Sequence, residues 1–217
     1  MRKFFTKKNI IVIAASVLVL AAVITGVLAY LTDNEAHINK AAESQVIVDI
    51  VEDFVPPDPD DIEPGNTIEY KKEVTAKNTG EADSYIRMGV EFSDGRAENE
   101  SLLSSDGVNW YTVSDYKNHL PTGWVYLDDA ALGGGYYYYK NIVKAAVKNG
   151  AGATISQAES TPKLFSYVRT TFREDEEAYP YDIYMYAEAV QTISNTGEVK
   201  TGTNAAIDTW RSFLDPA

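Results

Sequence analysis

Hydrophobic and polar positions alternate along much of this chain, and a period of two predicts strands. Residues 84–93 alternate most cleanly. Ile86, Met88, Val90 and Phe92 share one parity and Tyr85, Arg87, Gly89 and Glu91 the other, so the first set is expected in a core and the second in solvent. Residues 67–78 read the same way, with Ile68, Tyr70 and Val74 set against charged neighbours, and they close on the turn signal Asn78-Thr79-Gly80. The β-branched run Gln-Val-Ile-Val-Asp-Ile-Val-Glu at 45–52 predicts the first strand. Aromatic runs predict strands at 110–113, 124–127 and 135–143, separated by Asp106-Gly107, Pro121-Thr122-Gly123 and Gly133-Gly134-Gly135. Residues 163–172 and 182–193 complete the set, joined by the acidic loop 173–177. The last strand is long enough to be central.

Two segments break this period. Pro56, Pro57, Pro59 and Pro64 remove ladder donors from 56–65, so no strand or helix is expected to continue through it. Near the C-terminus Ile207, Trp210, Phe213 and Leu214 recur three or four apart, which predicts a short amphipathic helix over 204–214 capping the sheet. About eight short strands, mostly without helices between them, indicate an all-β fold, an antiparallel β-sandwich.

The N-terminus follows another pattern. An apolar run at 10–31 is preceded by Arg2, Lys3, Lys7 and Lys8 and followed by Thr32-Asp33-Asn34-Glu35. Basic residues beside an apolar span resist translocation, so the remainder is expected outside the cell. A cleaved apolar region is commonly about 7 to 15 residues and a span roughly 17 to 25, so length favours a membrane anchor. The end of the run favours cleavage instead: Val27 and Ala29 occupy the two positions a signal peptidase reads, Gly26 breaks the helix, and the cut falls near Ala29 or Tyr30. The expected organisation is a signal peptide or anchor helix at 1–29, a polar segment at 30–44, a β-sandwich domain at 45–193 and a tail with a short helix at 194–217. Contact with the membrane is expected only through the N-terminal helix.

Charge and cysteine content narrow the classes. The chain carries 19 basic and 32 acidic residues, a net charge of −13. Without residues 1–29 the basic count falls to 15 and the charge to −17, which argues against nucleic-acid binding by phosphate neutralisation. Cysteine is absent, so thiol catalysis, cysteine metal sites and disulfides are excluded, and a Gram-positive exporter fits better than a eukaryotic route.

Candidate chemistry is sparse. His37 and His119 are the two histidines, in no His-Glu-x-x-His arrangement, and both are read as surface residues rather than ligands. Asp58, Asp60, Asp61 and Glu63 could offer oxygen ligands to calcium, but their spacing is not that of an EF-hand loop and prolines stiffen it, so a solvated loop is expected. Gly133-Gly134-Gly135 lacks the lysine of a phosphate loop and is read as a turn. No Gly-x-Ser-x-Gly elbow is present. No catalytic residue, metal site or cofactor is assigned, and the protein is not expected to be an enzyme. The run Tyr136 to Tyr139 sends two rings to each sheet face. Its outward pair with Tyr184 and Tyr186, or Trp110 and Trp124, could form an aromatic surface for a glycan or a host protein.

The junction Ala29-Tyr30-Leu31-Thr32-Asp33, behind a basic start and a long apolar run, resembles that of the TasA/camelysin-like matrix and surface proteins of Firmicutes. Pro64-Gly65 before a strand, 74–80 ending in Asn78-Thr79-Gly80, 82–87 ending in Ile86-Arg87, Gly135 to Lys140 and Tyr186 to Gln191 are similar to strand motifs of that family. The chain departs from it at 41–44, where Ala-Ala-Glu-Ser replaces an expected Phe-x-x-Gly type segment. The resemblance spans residues 1 to about 193 and implies a jelly-roll β-sandwich, exported through a dedicated signal peptidase, with relatives in biofilm fibres or at the cell surface. Camelysin relatives are described as proteases, but no recognised zinc motif is present here. The expected function is a secreted structural protein of the surface or biofilm matrix. It would self-associate, or bind another matrix protein, by strand addition from the stretch 31–50.

Overall fold

The prediction that period-two segments become strands is met along most of the chain. The structure, a computed structural model, describes residues 46–193 and 197–214. Among the described residues there are eleven strands: β1 (Val48–Phe54), β2 (Thr67–Asn78), β3 (Ser84–Phe92), β4 (Ser101–Ser104), β5 (Tyr111–Thr112), β6 (Trp124–Leu127), β7 (Tyr136–Tyr139), β8 (Val147–Lys148), β9 (Thr154–Ser156), β10 (Tyr167–Thr171) and β11 (Ile183–Gln191). All pair antiparallel. One sheet runs β1-β2-β10-β4-β5, a second β11-β3-β7-β6, and β8-β9 form a separate ribbon.

The two larger sheets share one core. Ile68, Tyr70 and Val74 of β2, Leu103 of β4 and Val168 of β10 meet Ile86 and Met88 of β3, Trp124 of β6 and Tyr137 of β7 in a single cluster. In β2 burial alternates strictly from Ile68 to Asn78, and Lys72, on the apolar parity, is buried with the rest of that face. The Asn78 side chain is fully buried at the end of β2. Its Nδ2 donates to the carbonyls of Ala82 and Val143, and its Oδ1 accepts the Gly80 N–H, so this asparagine supplies the turn's missing partners.

Three sequence expectations need correction. The second face of β3 is not left to solvent, because Tyr85 and Arg87 lie beneath the C-terminal helix Ala205–Leu214. That helix lays Ile207 and Trp210 on Tyr85, Tyr138 and Val190, with Phe213 and Leu214 packing beside them. The long strand β11 is an edge, paired with β3 alone, because strand length does not decide sheet position. After the two residues of β5 the chain turns into a short helix, Val113–Tyr116, because the Thr112 hydroxyl caps it by accepting the Asp115 N–H.

Other elements escaped the periodicity. A short helix at Gly95–Glu100, capped by Asp94, leads directly into β4, and a single 3-10 turn at Pro59–Asp61 interrupts the proline segment. Among the described residues no helix is long and apolar enough to cross a membrane. The apolar run 10–31, Val27, Ala29 and Tyr30, and the polar segment 30–44 lie outside the described residues.

Candidate assembly edges and the aromatic face

Strand β1 is the outer strand of the five-stranded sheet, and no described strand pairs with its far side. The Val55 N–H donates to Lys71 O and the Thr79 N–H to Ile47 O, so odd-numbered residues of β1 bond to β2. Val48, Ile50, Glu52 and Phe54 therefore turn their peptide groups to the open side. Six of the seven β1 residues are exposed, and Val51 and Phe54 keep 49% and 45% of their surface in solvent. The sequence reading placed 31–50 as a free strand. Its last three residues are instead bound to β2 in their own chain, Val48 opposite Asn78 and Ile50 opposite Ala76.

Two ion pairs on opposite faces hold β1 in register. Adjacent Lys71 and Lys72 point to the two sides of β2, and adjacent Glu52 and Asp53 meet them. Inside, the Lys72 ammonium pairs with Glu52 and lies 4.9 Å from the Phe54 ring centre. Outside, Lys71 Nζ lies 2.5 Å from Asp53 Oδ2, and this hydrogen bond raises the Lys71 pKa despite some desolvation. A slip of one residue would send each acid to the wrong face of the sheet. Glu73 extends the outer network to Lys163 at 2.7 Å. That hydrogen bond, with help from Lys71, holds its carboxyl below the ordinary range although desolvation opposes it.

The tyrosines divide by face. Tyr137 enters the shared core, where burial pushes its hydroxyl up to about 12. Tyr138 points the other way but is fully buried under the C-terminal helix, so it leaves the outward pair. Tyr136 stays half-exposed and, with Tyr186, flanks Gly89, where an added Cβ would lie 3.5 Å from each ring. Tyr184 and Tyr186 are 47% and 45% exposed, and Tyr186 donates to Glu91 Oε2 at 3.0 Å. Trp124 is buried in the core, and Trp110 lies under the Arg169 guanidinium of the other sheet. The tryptophans therefore do not join the tyrosine surface.

Sequence reasoning missed the role of Arg87. Its Nε donates to Glu188 Oε2 at 2.7 Å, and its Nη1 donates to Leu132 O at 2.5 Å and to the Tyr138 hydroxyl at 3.0 Å. The guanidinium lies 4.0 Å from the Tyr136 ring centre and 4.3 Å from that of Trp210. The alternating pattern gave Arg87 a solvent-facing position. Only a helix more than a hundred residues downstream covers it, and the amphipathic face at Ile207 and Trp210 was the available signal.

The other sequence candidates stay apart. Asp58 accepts the Asp60 N–H, and Asn66 bonds Asp61 O, so the proline segment is an ordered acidic turn. His119 stacks on Tyr111 with ring centres 3.7 Å apart and lies 3.3 Å from Asp115, and His37 lies outside the described residues. Gly133 and Gly134 close the turn after the 3-10 segment Ala130–Leu132, both with left-handed φ. Among the described residues no three His, Asp or Glu side chains stand close enough to hold a metal ion. No family model matches the chain, and neither does any curated protein.

Proposed function

We propose that the protein is an exported, non-enzymatic structural subunit of a cell surface or biofilm matrix. In this reading the two sheets form a jelly-roll sandwich of the TasA/camelysin-like kind, and copies associate by strand addition. The observation that carries it is the open edge of β1: exposed, apolar in part, and preceded in sequence by segment 30–44. An unpaired edge is a template for another strand, and native proteins ordinarily blunt it with charged side chains, proline or a bulge. β1 contains no lysine and no proline, and its charges, Asp49, Glu52 and Asp53, are all acidic, so a strand of opposite charge can still pair with it. The long edge of β11 offers a second acceptor of nine residues.

The test is sedimentation velocity of the exported chain across a concentration series, with and without residues 30–44. Concentration-dependent oligomers that vanish on truncation support the reading. A chain that stays monomeric at every concentration sinks it, while association that persists without the segment would place the strand donor elsewhere in the chain. N-terminal sequencing of the same material reads the cut near Ala29 or Tyr30.

A second reading is favoured by the exposed rings of Tyr184 and Tyr186 beside Tyr136, a surface suited to the flat apolar face of a sugar or to a host protein. Glycan-array binding that Tyr184→Ala and Tyr186→Ala abolish would support it, and a blank array would remove the glycan case.

A further inference from the structure

The ribbon β8-β9 pairs with no other described strand, and every residue from 147 to 157 is exposed. An isolated two-stranded hairpin is marginal in water, so an ordered one gains from a third strand. This ribbon is nonetheless well braced. At its base the Glu159 N–H donates to Lys144 O, and at its tip Asn149 Oδ1 accepts from both Ala151 and Ala153. Its apolar side chains have nothing to cover them, with Val147 50% and Ile155 67% exposed.

Charge separates this ribbon from the rest of an acidic chain. Residues 130–158 carry Lys140, Lys144 and Lys148, and the first acid beyond them, Glu159, stands at the base of the ribbon where its carboxylate accepts the Lys144 N–H, whereas 48–63 carry seven acids and no base. The second stretch contains the open edge of β1, with Val51 and Val55 exposed among Asp49, Glu52 and Asp53. A basic, apolar ribbon and an acidic, apolar strand edge on one chain are complementary between two copies.

We infer that the β8-β9 ribbon of one copy adds to the open edge of β1 in a second copy. β9 then lies along β1 with Ile155 beside Val51, and Lys148 of the ribbon's other strand, with Lys144 just before it, reaches toward the acidic stretch. The two patches differ, so the contact is head-to-tail and propagates instead of closing as a dimer. This inference rests on the proposed self-association and makes the ribbon, in place of segment 30–44, the donor at the β1 edge.

The absence of cysteine makes cross-linking a direct test. Oxidation of a Val51→Cys/Ile155→Cys double variant should give a ladder of covalent oligomers, while either single variant alone stays monomeric. An equal mixture of the two single variants should give one heterodimer band and no ladder. Adding Lys144→Glu and Lys148→Glu should cut the ladder at least fivefold, and raised salt should weaken it through screening. Circular dichroism of each variant checks that the fold persists. Val51→Cys homodimers, or a ladder indifferent to the lysine reversals, would overturn the inference. Association that depends on residues 30–44 but not on the lysines would leave the structural-subunit reading standing and remove this contact. A monomeric chain with no ladder would remove both.

Discussion

Replacing Arg87 by Met should be among the most damaging single changes in the domain. The Arg87 side chain is 5% exposed and that of Glu188 20%, with 2.5 Å between Nη2 and Oε2. Removing one partner of a buried pair costs about 3–5 kcal/mol, because the other charge is left uncompensated. Partial solvent access at Glu188 puts that contribution toward the low end. Loss of the stacked cation adds roughly 0.5–2 kcal/mol for the rings of Tyr136 and Trp210. Together these give about 4 kcal/mol, worth roughly 8–16 °C in Tm for a domain of this size. The internal control is Arg169→Met. Arg169 also stacks on an aromatic ring, Trp110, and pairs with Glu69, but its side chains are 33% and 45% exposed. Exposed pairs are worth about 0–1 kcal/mol. Equilibrium urea unfolding followed by tryptophan fluorescence measures both, and Arg87→Lys, which keeps the charge but not the planar fork, should fall between them. The double variant Arg87→Met/Glu188→Leu should recover part of the loss by removing the stranded carboxylate. An Arg87→Met no more destabilised than Arg169→Met would refute the view that the helix-covered pair anchors this face.

Three other outcomes follow from particular contacts. Lys72→Glu places two acids side by side at the inner key of β1, so the amides of Asp49, Val51 and Asp53 should lose hydrogen-exchange protection about tenfold, or ~1.4 kcal/mol, while those of β3 do not; uniform loss across both strands would contradict a local key. The Glu73 carboxyl titrates low when folded, so its contribution is present above the ordinary carboxylate range and disappears as pH falls through the lowered native value. Glu73→Gln should flatten that part of the acid limb of stability, and an unchanged limb in urea titrations would count against it. Gly123 has φ +94°, and a Cβ there would lie 2.6 Å from Tyr139 Cε2, so Gly123→Ala should cost about 1–3 kcal/mol in thermal unfolding; a neutral result would show that both ring and backbone give way.

What the sequence determined by itself is local. Strand β2 begins and ends where the alternation of 67–78 said it would, because a period of two needs only neighbouring side chains to express it. The C-terminal helix was equally readable, since Ile207 and Trp210 declare one face within a single turn. Asn78-Thr79-Gly80 announced a turn, although not that Asn78 would hold it from a fully buried position.

Tertiary structure decided which faces and edges are covered. Arg87 has the same alternating neighbours as any solvent-facing residue, and its fate rests on Glu188, 101 positions away, and on the helix that folds over both. The place of β11 at an edge, the exposure of β1 and the isolation of the β8-β9 ribbon likewise depend on which strands pair. Periodicity records how a segment presents its side chains. Pairing between distant segments settles what those side chains meet, and the surfaces on which assembly is proposed are of that second kind.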